Sequence, residues 1–315
     1  MSSLNSKTKN TSFVNQSLWL EARKKGVGGS DVGSILGFNK YKSPLQLYYE
    51  KINSDVSNVD NAFTRAGTYL EPAIANWYRD TGEHIVLNEG SKIYYIEDTP
   101  YLCTPDRILC NTNGSVVGVL ECKNTSMTFD EIPLYWYSQL QWNMSIVGVE
   151  TGVLAWLEKG YDFKAITLDL DQEFINESRK MVDEFWYNHV QKQVPPDPLF
   201  ASDAELAFPK YVTGKTKVAT PEIMETCFAI KKVQEEIKQL TEENDKRKDT
   251  LKLFFGDAAE IVSEDGISLA TWKNTKDIDR FNQSAFKADE PELYAQYSTS
   301  SPGYRRLLVK CVGRR

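Results

Sequence analysis

The sequence predicts an α/β (α+β) fold, in which a central mixed sheet is flanked by helices and followed by a long C-terminal helix. Apolar side chains recur at helical spacing over residues 61–80, and strand-like alternation begins near residue 83. Over residues 221–256, apolar side chains recur at alternating steps of three and four with charges between them. The order of helix, strands, helix and strands is typical of an α/β or α+β core of about 200 residues.

Local patterns predict the elements of this core in turn. Residues 18–52 are expected to form short helices, and Ser43-Pro44 supplies the N-cap and first residue of one of them. Turn signals such as Asn113-Gly114 separate the next segments, which predict a run of antiparallel hairpins. Those segments are HIVL, KIYYI, YLCTPDRILC and SVVGVLECK, and they are followed by a helix at 128–147, strands at 150–158 and 162–169, and a helix at 171–190.

Three regions are expected along the chain. Residues 1–17 are polar and predict a disordered lead-in, while residues 18–198 predict the core, which ends at the proline-rich segment 195–198. Residues 199–315 predict a C-terminal extension. Its long helix is expected to pack on a small sheet built from the segments AEIV, SLATWK and YRRLLVK.

Composition narrows the class of protein. The chain has 315 residues, a formal net charge of -7, five cysteines without CxxC spacing and two histidines. An odd cysteine set with so few histidines argues against a disulfide framework or a zinc finger, and favours a reducing compartment, which we expect to be the cytoplasm. No apolar run is long enough for a membrane span. Because the net charge is negative, any contact with nucleic acid must come from a local basic site.

The strongest chemical signal joins Asp106 to the segment Glu121-Cys122-Lys123. Successive strand residues point to opposite faces, so Glu121 and Lys123 share a face, and a hairpin would bring Asp106 beside them. Two carboxylates and a backbone carbonyl, that of Cys122, suit Mg²⁺ or Mn²⁺. The lysine ammonium would then hold an attacking water or help to deprotonate it, which points to metal-assisted hydrolysis of a phosphodiester.

The acid-x-Lys pattern is weak when it is taken alone. It recurs at Asp162-Phe163-Lys164 and at Glu236-Ile237-Lys238, where no comparable neighbouring acid accompanies it. A salt-bridged pair of strands would also explain Asp106, Glu121 and Lys123. The surrounding motifs therefore decide between a structural and a catalytic interpretation.

Five motifs in the order found here resemble those of the lambda-exonuclease-like (YqaJ-type) viral recombinase nucleases of the PD-(D/E)XK superfamily. The resemblance covers residues 18–195. It is carried by WLEARKKGVGGSDVGSILG, GTYLEPAIANWY, the tripeptides Thr104-Pro105-Asp106 and Glu121-Cys122-Lys123, and YSQLQWNM. It implies a restriction-endonuclease-like core in a phage-encoded alkaline exonuclease.

The resemblance also implies roles for particular residues. Glu71 would be an active-site acid that binds a second metal directly or through water, and Gln141 would face the active site. Since Gln139 and Gln141 lie two residues apart on a helix, they cannot share a face, and Gln139 would be structural. Arg23, Ser30 and Thr104 would approach the 5′ phosphate of DNA.

The expected activity is a Mg²⁺- or Mn²⁺-dependent 5′→3′ exonuclease that acts on double-stranded DNA ends and leaves 3′ single strands for recombination. The resemblance further implies a ring-shaped homotrimer and a single-strand annealing protein as partner. Two alternatives stay open. One is an endonuclease or single-strand nuclease on the same fold, and the other is a DNA-binding scaffold that has lost its catalytic activity.

Overall fold

A computed structural model of the chain describes residues 8–13, 15–53, 62–88, 92–300 and 303–310. It divides into two units, Met1–Phe208 and Pro209–Arg315. The first unit holds every residue that the sequence assigns to chemistry, and the second holds the long helix.

Five strands form the central sheet of the first unit, in the order β2-β5-β6-β7-β8. Strands β6 and β7 run parallel, and the other neighbours run antiparallel. The predicted mixed sheet is therefore confirmed. The five strands are β2 (Ile85–Leu87), β5 (Arg107–Cys110), β6 (Val116–Thr125), β7 (Thr151–Glu158) and β8 (Asp162–Asp169).

A second, three-stranded sheet has the order β1-β3-β4, with β1 at Thr8–Ser12, β3 at Lys92–Ile96 and β4 at Leu102–Cys103. The prediction of a disordered lead-in is wrong for Thr8–Ser12, because this segment pairs with β3 along its whole length. This edge strand is polar and is held by backbone hydrogen bonds, so it lacks the apolar alternation from which a strand is predicted. The run of hairpins is also wrong in part, since β2 and β3 belong to different sheets.

Helices cover both faces of the central sheet. Helix α4 (Ala62–Asp80) packs against β6 on one face through Ile74, Ala75 and Tyr78, whereas α5 (Leu134–Val147) packs on the other face. The flanking helices thus follow the predicted architecture. The remaining helices of this unit are α1 (Gln16–Lys24), α2 (Gly29–Ile35), α3 (Pro44–Ile52), α6 (Gln172–Asp183), which continues as a π-helical segment over Glu184–Val190, and α7 (Asp203–Ala207).

The first unit extends to Phe208, beyond the predicted boundary at 198. Asp203 is fully buried, and its Oδ1 accepts a hydrogen bond of 2.7 Å from Ser43 Oγ, the N-cap of α3. Its Oδ2 accepts from the backbone N–H groups of Leu199 and Phe200. This buried carboxylate fastens residues 199–208 to the core, although nothing in the local sequence pattern marks them as core.

The second unit is built around α8 (Pro221–Phe255), which confirms the predicted long helix. Thr220 caps its start, and Pro221 occupies its first position. Strands β9 (Glu260–Val262) and β10 (Ser268–Thr271) form a two-stranded sheet, and two short helices follow, α9 (Gln283–Asp289) and α10 (Pro291–Tyr297). The prediction that YRRLLVK supplies a strand is wrong, since residues 304–310 have no regular secondary structure.

No helix within the described residues combines the length and the apolar character that crossing a bilayer requires.

Candidate active site

Strand β6, the middle strand of the central sheet, carries the predicted acid-x-Lys pair in its C-terminal half. Glu121 is fully buried, and the half-buried Lys123 follows it on the same face. Their neighbours Leu120 and Cys122 point to the opposite face, into the apolar cluster that includes α4. The predicted alternation is therefore confirmed, and it directs both charged side chains towards α5.

Asp106 joins this pair from the loop before β5. Its Oδ2 accepts a hydrogen bond of 2.7 Å from the backbone N–H of Cys122, which lies between Glu121 and Lys123. The antiparallel register of β5 and β6, with Arg107 opposite Leu120, places the two carboxyl-bearing segments side by side. The structure thus brings together the three residues that the sequence selects.

Burial and neighbouring charges shift the pKa values of Asp106, Glu121 and Lys123. Burial, followed by the charge of Glu121, raises the pKa of Asp106 well above its usual range. Burial also raises the pKa of Glu121, although Lys123 opposes the change. For Lys123, burial opposes ionisation, yet the two carboxylates outweigh it and raise the pKa of the ammonium. The site therefore holds two carboxyl groups whose ionisation is disfavoured, and Lys123 stays protonated at neutral pH.

Two amides on α5 hold Glu121. Gln139 Nε2 donates to Glu121 Oε2 at 2.6 Å, and Gln139 Oε1 accepts from Lys123 Nζ at 2.8 Å. Asn143, which is buried one helical turn further on, donates its Nδ2 to Glu121 Oε1. Sequence reasoning missed Asn143. The signal was present, because a polar residue four positions after Gln139 must share its helix face.

The prediction that Gln141 faces the active site is wrong. Its side chain is buried on another face of α5, where Nε2 donates to Asp169 O and Oε1 accepts from the backbone N–H of Asp171, both at 2.8 Å. Two helical positions rotate a side chain by roughly 200°. Gln141 therefore ties α5 to the start of α6, and Gln139, which was predicted to be structural, is the residue in contact with Glu121 and Lys123.

This exchange gives a testable contrast between the two glutamines. Gln139→Ala is expected to slow DNA hydrolysis roughly tenfold or more, because it removes hydrogen bonds to the charged Glu121 and Lys123. Glu121 Oε2 keeps Lys123 as a partner in this variant, so the loss of stability is expected to be smaller than that of Gln141→Ala. Gln141→Ala is expected to lower stability by about 1–3 kcal/mol, because it leaves buried backbone groups unpaired. Calorimetry and a nuclease assay on both variants check this. Equal loss of activity at equal stability would contradict it.

Glu71 lies on α4 in an ion pair with Arg107. Arg107 Nη1 approaches Glu71 Oε1 to 2.6 Å and also donates to the backbone carbonyl of Asp106 at 2.5 Å. Glu71 is about one third exposed, and its charge contributes to the raised pKa of Asp106. The predicted acid is therefore at the edge of the site. Sequence reasoning missed Arg107, whose place directly after Asp106 was the only signal.

The opening motif forms a charged cluster at the start of α2. Arg23 Nη2 donates to Ser30 Oγ at 3.1 Å, and its guanidinium lies 4.6 Å from the centre of the Trp19 ring. Asp31 accepts from Lys51 at 2.7 Å and from the backbone N–H of Gly28. Although burial opposes it, the charges of Lys51 and Arg23 lower the pKa of Asp31. Arg23 and Ser30 thus lie side by side, and their predicted contact with a 5′ phosphate stays a prediction.

Glycine lets this motif approach the active-site helix. A Cβ on Gly29 would overlap Asn143 Oδ1 and lie 3.1 Å from Gln139 O, so a side chain there would collide with the helix that holds Glu121. A Cβ on Gly33, one turn later, would meet Tyr135 and Ser138. The motif with Arg23 and Ser30 is therefore packed directly against the residues that position Glu121.

Thr104 lies between β4 and Asp106 and is partly buried. Its predicted contact with a 5′ phosphate stays a prediction.

The donor set suits a hard divalent cation. Asp106 and Glu121 are two carboxyl groups that repel each other where they are buried, so a cation between them would relieve that repulsion. Among the residues that the structure describes, no three His, Cys, Asp or Glu side chains are grouped as a metal site. Mg²⁺ commonly binds through one or two carboxylates and keeps several waters, so these two and the Cys122 carbonyl fit it.

Comparison with known proteins finds similarity in this part of the chain. Residues 18–152 match the YqaJ-like viral recombinase domain. The uncharacterized protein YqaJ of Bacillus subtilis strain 168 is 30% identical over 181 residues, which are 55% of this chain and 56% of that protein. The chain thus spans little more than half the length of this curated relative.

Solved structures of low identity also resemble the chain. An alkaline exonuclease from Laribacter hongkongensis, LHK-Exo in complex with dAMP, has a TM-score of 0.46 at 16% identity, covering 57% of this chain and 94% of that one. A phage-related exonuclease from Haemophilus somnus 129PT has a TM-score of 0.42 at 13% identity, covering 53% and 95%. The residues that match the YqaJ-like viral recombinase domain include Arg23, Ser30, Glu71, Asp106, Glu121, Lys123 and Gln139.

Proposed function

We propose that this protein is a divalent-metal-dependent nuclease that degrades double-stranded DNA from its ends in the 5′→3′ direction and leaves 3′ single strands. The observation that carries the proposal is the set of the buried Glu121 and the partly buried Asp106 and Lys123, joined by the hydrogen bond from Cys122 N to Asp106 Oδ2. Two carboxylates beside a lysine are the groups that metal-assisted phosphodiester hydrolysis needs.

Each residue would have a separate task in this reaction. Asp106, Glu121 and the Cys122 carbonyl would hold Mg²⁺ or Mn²⁺, which, when bound, polarises a phosphoryl oxygen and makes water a better nucleophile. Lys123 is an ammonium, so it would stabilise negative charge that develops on the phosphate. Gln139 and Asn143 fix the orientation of the Glu121 carboxylate. Glu71, which is paired with Arg107, would bind a second metal directly or through water.

A DNA-end assay tests the activity. Linear duplex DNA with one labelled 5′-phosphate end is incubated with the purified protein, with Mg²⁺ present or chelated, and covalently closed circular duplex serves as the control. We expect labelled mononucleotides from the linear substrate only, and none after chelation. Cleavage of the circle would favour the endonuclease alternative, and binding without cleavage in Mg²⁺ and in Mn²⁺ would favour the non-catalytic scaffold.

Arg23 and Ser30 are proposed to bind the 5′ phosphate of the strand being degraded. Arginine makes paired hydrogen bonds to phosphate oxygens, and the Ser30 hydroxyl already lies 3.1 Å from its guanidinium. Trp19 and Lys51, which contacts the Arg23 carbonyl, hold this arginine in place. The cluster thus provides a positively charged binding site that packs against α5, the helix in contact with Glu121.

A prediction follows for DNA ends with and without phosphate. Arg23→Ala is expected to slow degradation of 5′-phosphorylated ends by roughly ten- to hundredfold, since a hydrogen bond to a charged group contributes about 1.5–3 kcal/mol. Ends with a 5′-hydroxyl are expected to change much less. Lys25→Ala, an exposed basic neighbour, is the matched control. Equal slowing on both kinds of end would show that Arg23 supports general binding instead.

Two proposals about partners rest on resemblance. One is a homotrimeric ring that encloses DNA, and the other is a single-strand annealing protein that receives the exposed 3′ strand. Sedimentation of the full chain measures the number of copies in its assembly.

A further inference from the structure

We infer that helix α8 pairs with α8 of a second copy of this chain to form a parallel, two-stranded coiled coil. The helix has 35 residues, which corresponds to a length of about 52 Å. A helix of this length in water is normally stabilised by packing of one apolar face, and such a face is present on α8.

The apolar face follows a heptad repeat over the whole helix. Ten positions spaced alternately by three and four residues define the a and d sites of five heptads. The a sites are Ile223, Ile230, Ile237, Asn244 and Leu251, and the d sites are Thr226, Val233, Leu240, Arg247 and Phe254. Seven of the ten positions are apolar, and the polar ones are Thr226, Asn244 and Arg247.

This stripe is uncovered within the described part of the second unit. Six of its apolar side chains are between 45% and 75% exposed, and they are Ile223, Val233, Ile237, Leu240, Leu251 and Phe254. The end of the helix packs on its own sheet, where the Phe255 ring lies edge-on to Trp272 at 5.9 Å. The opposite side of α8 carries mainly charged residues, as expected of a surface facing water.

The identity of the residues points to two parallel strands in register. Isoleucine at a with leucine at d, as at Ile237 and Leu240, favours two strands. One asparagine at an a site specifies register and strand number, because it can pair with the same asparagine in the partner. Asn244 is that residue. The Arg247 side chain turns away from the stripe and forms an ion pair with Glu243, one turn earlier in the same helix.

Charges beside the stripe select the parallel orientation. In a parallel pair, Glu243 at a g site faces Lys248 at the following e site of the second copy, which is an attractive contact. In an antiparallel pair, g sites face g sites, so Glu236 and Glu243 would meet other glutamates and repel them. Charge complementarity therefore favours a second copy of this chain, in parallel, as the occupant.

Sedimentation of the full chain tests the association. Ile237→Lys places a charge in the middle of the stripe, and because Ile237 is 57% exposed, the variant is expected to fold. We expect it to halve the mass of the particle relative to the wild type, from two chains to one, or from two joined rings to one ring if the nuclease units form the proposed trimer. Gln239→Lys, the same replacement on the outer side of α8, is expected to keep the wild-type mass. If Ile237→Lys also keeps that mass, α8 does not associate with another copy.

Cross-linking tests the orientation, and it does not depend on how the nuclease unit assembles. In a Cys227→Ser, Cys311→Ser background, Val233→Cys is expected to form an intermolecular disulfide on mild oxidation, because identical d sites face each other in a parallel pair. An antiparallel pair would place Val233 opposite a different residue. If the thiol introduced by Val233→Cys stays fully reactive towards a maleimide, with no cross-linked chain on a denaturing gel, the proposal is overturned and the stripe is open for a different protein.

Discussion

Alanine at Asp106, Glu121 or Lys123 is expected to lower the rate of DNA hydrolysis by about a hundredfold or more. The reason is that the three side chains act at one point, where both carboxylates would hold the metal and the ammonium would face the phosphate. Losses of this size are typical when one member of a preorganised charged site is removed. Steady-state rates on linear duplex DNA in saturating Mg²⁺ measure the effect.

The chain offers a matched control for these variants. Asp162 and Lys164 on β8 have the same acid-x-Lys spacing and form an ion pair of 3.4 Å, but they are partly exposed and lie away from Asp106 in the sheet order. Asp162→Ala and Lys164→Ala are expected to keep the wild-type rate. Circular dichroism should show an unchanged fold in all of these variants. Wild-type rates in the Asp106, Glu121 and Lys123 variants would remove the proposed active site.

The central geometry of the site was predictable because it depends on short-range rules. The strict alternation of β6 fixes Glu121 and Lys123 on one face, and the Asn113-Gly114 turn returns the chain so that Asp106 meets the Cys122 N–H. Neither inference needs knowledge of distant contacts. The long helix α8 was equally accessible, since its period is visible over many turns.

The residues that support the site were harder to predict, because tertiary contacts decide them. The spacing of Gln139 and Gln141 showed that the two face different ways, but only the packing of α5 on β6 decides which one meets Glu121. The partner of Glu71 likewise depends on how α4 lies across the sheet, which places Arg107 within 2.6 Å. The helical period fixes the direction of one side chain relative to another, but it does not fix which of them faces the sheet.

Strand β1 and residues 199–208 escaped prediction for a related reason. Thr8–Ser12 is a polar edge strand held by backbone pairing with β3, so it lacks an apolar period. The 199–208 segment is tied by the buried carboxylate of Asp203. Both depend on hydrogen bonds to residues far along the chain, and a local pattern does not contain that information.

The contribution of Asp106 to the stability of the metal-free protein is expected to fall as pH rises above about 4, the ordinary pKa of an aspartate. Burial, followed by the charge of Glu121, raises the pKa of Asp106 in the folded state. The folded protein therefore holds this proton more tightly than the unfolded chain does. Between the two pKa values the Asp106 carboxyl ionises first in the unfolded chain, so its contribution to the free energy of unfolding decreases with pH and stays lower above the raised pKa.

A divalent cation is expected to reverse this loss by taking the place of the proton. At a free concentration about one hundred times its Kd, Mg²⁺ would add about 2.7 kcal/mol to the stability. Because the carboxylates must be ionised to bind it, the rise in melting temperature should be larger at about pH 8 than at about pH 5. Calorimetry at both values, in EDTA and in Mg²⁺, measures the difference.

Asp106→Asn isolates the contribution of this carboxyl group. The amide keeps an oxygen that can accept from the Cys122 N–H, but it carries no charge, so the metal-free variant should be more stable than the wild type at about pH 8. It should also lose most of the stabilisation by Mg²⁺, together with catalysis. Asp162→Asn, on β8, should behave as the wild type in every respect. If Mg²⁺ stabilises Asp106→Asn as strongly as the wild type, the cation binds elsewhere, and Asp106 is then a structural residue of the β5–β6 junction.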